Sequence, residues 1–396
     1  AVLTQAGKAA VGRKAPTVHG LMEGVEAAQA AWAAEVGLPD LLSHFGVTFV
    51  ERALIDAFCR RHQTTVGAVL RGNGLGVELA DLHPELAGMA PSEGLPATSL
   101  ATAASRHTVG LGDPLEESEV AADERPADDL PVSLREVIRH YRLHDFKIKV
   151  AGEIGAAVDR LERVTRLIAE ETGGNYVASL DGNETFNSVA AFRGFWELAQ
   201  ARPGLAEFWP RLLFVEQPIH RDDALGDAVG DELQVWPDPP PLLIDESGAT
   251  AADLRRALDL GYIGVSHKNC KGVIHGVANR CLLTRRGDAG LRMSGEDLSN
   301  VGPIAAPQDL AVQAALGNAT VERNGHHYFN GLAGWPATIA AQVLAKYPDL
   351  YASAEGAGAR VQTQDGQLHC TSVNQQAFGG SLVDFSSLET TPWLEQ

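Results

Sequence analysis

Polar residues collect at the ends of successive apolar segments in this chain, and their types suit chemistry on a carboxylic acid. FKIKV ends in Lys147-Ile148-Lys149, SLDGN carries Asp181 and Asn183, FVEQP carries Glu216, LLIDES carries Asp245 and Glu246, VSHKNCKG carries Lys268, and MSGEDL carries Glu296. A single strand-end carboxylate is ordinarily a helix cap or a solvated loop residue. An ordered set is different. Three carboxylates from three neighbouring strands can surround one hard divalent cation, which takes oxygen ligands, and magnesium is the natural choice. A strand alternates faces, so Lys147 and Lys149 point the same way, while Lys268 belongs to a strand beyond the carboxylates. A substrate carboxylate bridging to such a cation has an acidified α-carbon, because the cation neutralises the charge that develops as an enolate forms. A lysine near a cation and partly desolvated has a lowered pKa, so a neutral amine serves as base near pH 7.

These residues need a scaffold that brings strand ends together. From Pro131 helical segments such as SLREVIRHYRL and GAAVDRLERVTRLIAEE alternate with short apolar segments: FKIKVA, YVASLD, RLLFVEQ, LLIDES, YIGVSHK, GLRMSGE and ATVERN. Strands alternating with amphipathic helices mean parallel strands with right-handed crossovers. Adding RHTVGLG makes eight strands, which suits a closed (β/α)8 barrel, whose reactive groups sit where strands end and loops begin.

Before the barrel, AVLTQAGKAAVGRKAP reads as strand-turn-strand, and GLMEGVEAAQAAWAAEV and FVERALIDAFCRRH read as helices from their apolar spacing. The stretch from Leu86 to Pro131 is loop-like apart from RHTVGLG, and RGNGLGV is a connecting loop, since a phosphate-binding glycine fingerprint follows a strand and opens a helix. After Asn324, ARVQTQ-DG-QLHCTSV predicts a hairpin, because Asp-Gly supplies the positive backbone angles of a two-residue turn. The expected architecture is an α/β protein: an α+β capping domain over 1–103, a (β/α) barrel over 104–330, and a segment over 331–396 that returns to the cap.

Composition narrows the classes. The chain has 396 residues, 45% hydrophobic, with a formal net charge of −19, which disfavours nucleic acid as a partner. No run of apolar residues is long enough to span a membrane, and the start lacks a signal-peptide pattern. Cys59, Cys270, Cys281 and Cys370 are widely spaced with no CxxC, so neither a zinc framework nor a disulfide framework is expected, and a reducing cytoplasm is the expected location. The Asn-x-Ser/Thr matches at Asn183 and Asn318 read as chance occurrences.

Taken together and in order, FKIKV, SLDGN, FVEQP, LLIDES, VSHKNCKG and MSGEDL resemble the enolase superfamily, in its muconate lactonizing enzyme-like branch, with a lysine on each side of the substrate. The resemblance implies Asp181, Glu216 and Asp245 as ligands of one Mg2+, Lys149 and Lys268 as the acid/base pair, and Lys147 as electrostatic partner of Lys149 and the substrate carboxylate. It also implies that the cap lacks its first strands here; a small carboxylate substrate and, in a homo-oligomer, further copies of the chain are the expected partners. Lys268 stands where the mandelate racemase-like branch has an aspartate, and RNGHHYFNG stands where dipeptide epimerases of this branch carry Asp-x-Asp. His267 and Asn269 flank Lys268 and point away from it, towards a structural role. Asn183, Glu246, Glu296, His326 and His327 are the auxiliary or substrate-binding candidates, with Glu296 placed to orient Lys268. The expected activity is abstraction of the proton α to the carboxylate of a small acid, giving racemisation, epimerisation or cycloisomerisation. The alternative is a lyase, a dehydratase of a hydroxy acid or sugar acid. A third reading is a non-catalytic relative, which loss of a ligand or base would mark; all are present.

Overall fold

The computed structural model describes residues 1–125, 130–296, 300–324, 331–356, 358–380, 383–386 and 388. Eight parallel strands close on themselves: β1 (Thr102–Val109), β2 (Asp145–Lys149), β3 (Val177–Asp181), β4 (Leu212–Glu216), β5 (Leu242–Ile244), β6 (Gly264–His267), β7 (Arg292–Glu296) and β8 (Thr320–Asn324), with β8 pairing back onto β1. The segments predicted as strands are the barrel staves, and closure removes both edges of the sheet.

The first 101 residues correct the sequence reading. AVLTQAGKAAVGRKAP is not strand-turn-strand: it opens as helix α1 (Val2–Ala10), which its alanines favour. Helices α2 (Val18–Val36) and α3 (Asp40–Arg61) follow, then the short α4 (Val66–Arg71), α5 (Leu79–Leu82) and α6 (Pro91–Gly94). This part of the cap is helical throughout. α1 crosses α3 at Gly46, where any Cβ would collide with the Val2 carbonyl. Gln29 of α2 binds the crossing by donating to the Val2 and Ser43 carbonyls, each at 3.1 Å.

Around the barrel run α7 (Leu134–Tyr141), α8 (Ile154–Thr172), α9 (Val189–Gln200), α10 (Arg221–Ala224), α11 (Asp227–Val235), α12 (Ala251–Leu260), α13 (Val273–Arg286) and α14 (Ala305–Leu316). Side chains cap the helix starts: Ser133 and Glu136 form a capping box on α7, and Thr17 caps α2 by accepting from Gly20 N at 3.0 Å. α14 is buried on every side from Ala306 to Leu316 and packs against α4 and, beyond the barrel, α16 (Thr371–Asn374), which its mainly small and apolar residues permit.

In the tail, α15 (Ala337–Lys346) precedes an antiparallel pair, β9 (Tyr351–Ala354) and β10 (Gly358–Val361). The Asp-Gly turn is present, with φ of 49° at Asp365 and 75° at Gly366, but the predicted hairpin is only a Gln364–Gln367 bridge. β10 pairs with β9, whereas β11 (Gln367–His369) pairs antiparallel with β1 over Thr102–Ala104. β2 meets β1 only from Arg106 onward, so the start of β1 offers an open edge that β11 covers. No helix among the described residues is long and apolar enough to cross a membrane.

Several contacts join the N-terminal helices to the barrel, His83 with Asn279 and Arg286 with Glu85 among them, and one is a buried carboxylate. Glu51 of α3 accepts from Val273 N at 2.7 Å and Ile274 N at 2.9 Å, satisfying two orphan donors at the start of α13 and complementing its dipole. Glu51→Ala is expected to cost roughly 2 kcal/mol, since two buried donors lose their acceptor. Urea unfolding measures it; an unchanged midpoint would show that the cap does not depend on this contact.

Candidate active site

Strand register places the polar side chains in levels. Paired residues on neighbouring parallel strands face the same side, and each step around the ring offsets the level by one residue, so four alternate strands fill each layer. From the pairings, Lys149 and Lys268 share the uppermost level. Beneath them lie Thr108, Asp181, Asp245 and Glu296, then Lys147, Glu216, Ser266 and Glu322, then Arg106, Ser179, Leu243 and Ser294. Barrel interiors are ordinarily filled by branched apolar residues. Here the levels near the mouth are ionic. β2 and β6 stand four strands apart in a ring of eight, so Lys149 and Lys268 face each other across the carboxylates.

The contacts are short. Lys147 Nζ lies 2.8 Å from Asp181 Oδ2, 2.8 Å from Glu216 Oε2 and 2.6 Å from Glu322 Oε2. Lys149 Nζ donates to Asp181 Oδ2 at 2.7 Å. Lys268 Nζ lies 2.8 Å from both Asp245 Oδ2 and Glu296 Oε2, so Glu296 does meet Lys268. The structure therefore gathers Lys147, Lys149, Lys268, Asp181, Glu216, Asp245 and Glu296 in one place. Asn183 and Glu246 sit beside them, with Asn183 Nδ2 3.5 Å from Glu246 Oε1 and Asn183 N donating to Asp181 Oδ1 at 2.8 Å. His326 and His327 lie outside the described residues. His267 is buried outside the barrel lumen, its ring against Gly276 of α13.

Four participants were not singled out from the sequence. Glu322 of β8 accepts from Lys147 and from Thr108 Oγ1, the latter at 2.8 Å; its signal was the period of two through Thr320, Glu322 and Asn324. Lys271 donates to Asp245 Oδ1 at 2.8 Å and to the Ser266 carbonyl at 2.9 Å, from a loop where no periodicity points to it. Gln217 Oε1 accepts from Asp245 N at 2.8 Å and Ser247 N at 3.1 Å, while its Nε2 donates to Ile219 O and Ser247 Oγ, both at 2.8 Å. Three of its four side-chain hydrogen bonds hold the Asp245-Glu246-Ser247 turn, and the fourth ties down its own strand end at Ile219. Arg106, fully buried, donates to Ser294 Oγ at 2.6 Å.

Burial and charge set the protonation states. Burial alone would neutralise Lys147 and Lys268, but Glu216, Glu322 and Asp181 around Lys147, and Asp245 and Glu296 around Lys268, outweigh it and hold both well above the usual lysine range. Neither Lys147 nor Lys268 has the lowered pKa expected of a lysine base while these carboxylates are its partners. Asp245 is pushed up by burial, yet Lys268 and Lys271 bring it below the usual carboxylate range. Burial likewise opposes ionisation of Glu322, and Lys147 and Arg106 reverse it. Burial raises Glu216, helped by Asp181 and Asp245 and opposed by Lys147. Glu296 is pushed up to about 8 by burial and Glu322, and Glu246 to about 7 by burial and Asp245.

The donor set fits a hard cation. Glu216, Asp245 and Glu296 each offer an oxygen within 4.8 Å of the others. Glu216 Oε1 and Oε2 are buried without a hydrogen-bond partner of good geometry, the Lys147 ammonium being an ion-pair neighbour only. Carboxylate oxygens with open positions select magnesium-like ions over softer metals.

Comparison with solved structures shows which proteins share this barrel and its covering helices. A mandelate racemase/muconate lactonizing protein from Herpetosiphon aurantiacus matches with a TM-score of 0.55 at 16% identity, over 98% of this chain and 83% of that one. A mandelate racemase/muconate lactonizing family protein from Azoarcus sp. EbN1 matches with a TM-score of 0.53 at 14% identity, over 96% and 80%. An enolase from Bradyrhizobium, complexed with magnesium and mandelic acid, matches with a TM-score of 0.55 at 14% identity, over 96% and 79%. No family model and no curated protein sequence matches the chain. The chain has the fold of the mandelate racemase/muconate lactonizing proteins, a (β/α)8 barrel closed by a cap, as the ordered strand-end residues implied.

Proposed function

We propose that this protein is an enzyme of the enolase superfamily that removes the proton α to the carboxylate of a small acid, most directly as a racemase or epimerase. The observation that carries the reading is the pair Lys149 and Lys268, level with one another on opposite staves. A substrate lying between them presents one face of its α-carbon to each. One lysine, as the neutral amine, takes the α-proton and becomes an ammonium; the other, as the ammonium, returns a proton to the opposite face and becomes neutral. Configuration inverts and the proton count closes.

Asp181, Glu216 and Asp245 are the residues that would hold Mg2+, and Glu296 would stay with Lys268. Its affinity for a proton, at about 8, makes Glu296 the poorer anionic ligand, whereas Asp181 already receives two ammonium groups. When bound, the divalent cation supplies the charge that makes the α-proton of a coordinated carboxylate acidic. Lys147, buried between Asp181, Glu216 and Glu322 beneath the level of Lys149 and Lys268, would add a fixed positive charge under the substrate carboxylate. Lys271 and Gln217 fix Asp245 from behind.

The test is α-deuterium incorporation in heavy water, followed by NMR, with pools of N-acyl amino acids, dipeptides, hydroxy acids and sugar acids. Magnesium-dependent exchange with inversion is the expected result. Exchange with loss of a β-group would make the protein a lyase. Silence across the pools, together with thermal stability indifferent to magnesium and chelator, would leave a non-catalytic barrel.

A further inference from the structure

A second group of metal-ligating side chains gathers where the helical cap meets the barrel. Glu26 of α2, His44 of α3 and His275 of α13 each offer a ligand atom within 4.8 Å of the others. The two imidazoles stack with centroids 4.7 Å apart and planes 6° from parallel. His275 Nε2 lies 3.8 Å from Glu26 Oε2; two ligands on one tetrahedral zinc stand about 3.3 Å apart, so binding would close this gap and turn the rings out of their stack until the nitrogens converge. His44 Nε2 is buried with no hydrogen-bond partner of good geometry, although buried polar atoms ordinarily have one. Gly272, at φ +91°, permits the approach, since a Cβ there would sit 3.0 Å from His44 Nε2 and 3.7 Å from Glu51 Oε2.

This group lines a cleft of about 550 Å3 that also carries His19, Glu23, Asp40 and Asp81. Its lining among the described residues includes none of the barrel-mouth lysines or carboxylates. Burial drives the histidines down, His44 to about 4 and His275 to about 3, so both rings are neutral lone-pair donors at neutral pH. Burial, with Glu51 and Glu23, raises Glu26 to about 8, and a cation beside it would offset the cost of ionising it.

We propose that Glu26, His44 and His275 form a binding site for one divalent transition-metal ion of the zinc class, joining cap to barrel. Two imidazoles and one carboxylate, with cleft space for water, match the donor preference of zinc and disfavour magnesium. The bound ion would tie α2 and α3 to the segment that follows Lys268 and Lys271, and so brace the loop whose Lys271 holds Asp245. Its three ligands take no part in the reaction at the barrel mouth, and the site would stand if that reaction proved otherwise.

Chain stripped with EDTA is titrated with Zn2+ by calorimetry and with Co2+ by visible absorption. One equivalent of Zn2+ is expected, weakened at least tenfold in Glu26→Gln and in His275→Gln, with the Co2+ ligand-field band lost in both. Glu216→Gln, in the barrel, is expected to leave both signals intact. Glu26 is half-buried on α2, so Glu26→Gln keeps the test usable if the histidine variant misfolds, and metal-free circular dichroism checks each protein. Zn2+ affinity unchanged in Glu26→Gln, or lost only in Glu216→Gln, would overturn the site.

Discussion

Lys149→Met and Lys268→Met are each expected to slow interconversion of enantiomers by about 10²–10⁴-fold, the usual worth of a positioned acid or base. The more diagnostic outcome is complementary. Each variant keeps α-proton exchange with one enantiomer and loses it with the other, because the surviving lysine still faces one side of the α-carbon. Methionine keeps most of the apolar stem, and Asp245 retains Lys271 when Lys268 is replaced, so the carboxylates are not all stripped of partners. Chiral chromatography gives interconversion, and NMR in heavy water gives exchange enantiomer by enantiomer. If both variants lost exchange with the same enantiomer alone, only one face would be served, and the racemase reading would give way to a one-base elimination.

The barrel was legible because its signals repeat. Most staves are short apolar runs with a charged residue at or just beyond the end, flanked by helices, and the period of two puts Lys147 and Lys149 on one face. Glu322 carries the same signal, but nothing in its own segment separates it from an ordinary alternating strand. What makes it part of the site is the 2.6 Å contact with Lys147, a long-range pairing. Lys271 and Gln217 follow no period; they matter because a loop and a strand end present them to Asp245. The first helix was misread for a related reason. AVLTQAGKAA carries Gly7 in its middle, which weakens a helix, and its helical form is settled by packing on α3 at Gly46, which local propensity does not report. The tail failed differently: Asp-Gly specified the turn correctly, while the partners of the flanking strands were chosen by the open start of β1.

The same contacts yield a prediction about stability. Lys147→Met is expected to lose roughly 3–5 kcal/mol at pH 8 without magnesium, the usual effect of removing one partner from a buried ionic group. Lys147 is 1% exposed and is the shared counter-charge of Asp181, Glu216 and Glu322. Glu216 is the sharpest case, because burial and its acidic neighbours raise its pKa and Lys147 opposes them. With Lys147 gone, its folded pKa rises further above the unfolded value. A carboxyl with a raised folded pKa contributes stability below its unfolded pKa and loses it as pH rises through the folded one. The variant should therefore approach the parent in acid and fall away from it as pH rises. Magnesium should stabilise the variant more than the parent, because the competing ammonium is absent and a ligand bound only by the folded state shifts the equilibrium towards it. Urea unfolding at pH 5.5 and pH 8, with and without magnesium, separates these effects. Equal midpoints for variant and parent throughout would mean that the three carboxylates do not rely on Lys147, and that an ammonium and a divalent ion do not compete for the same oxygens.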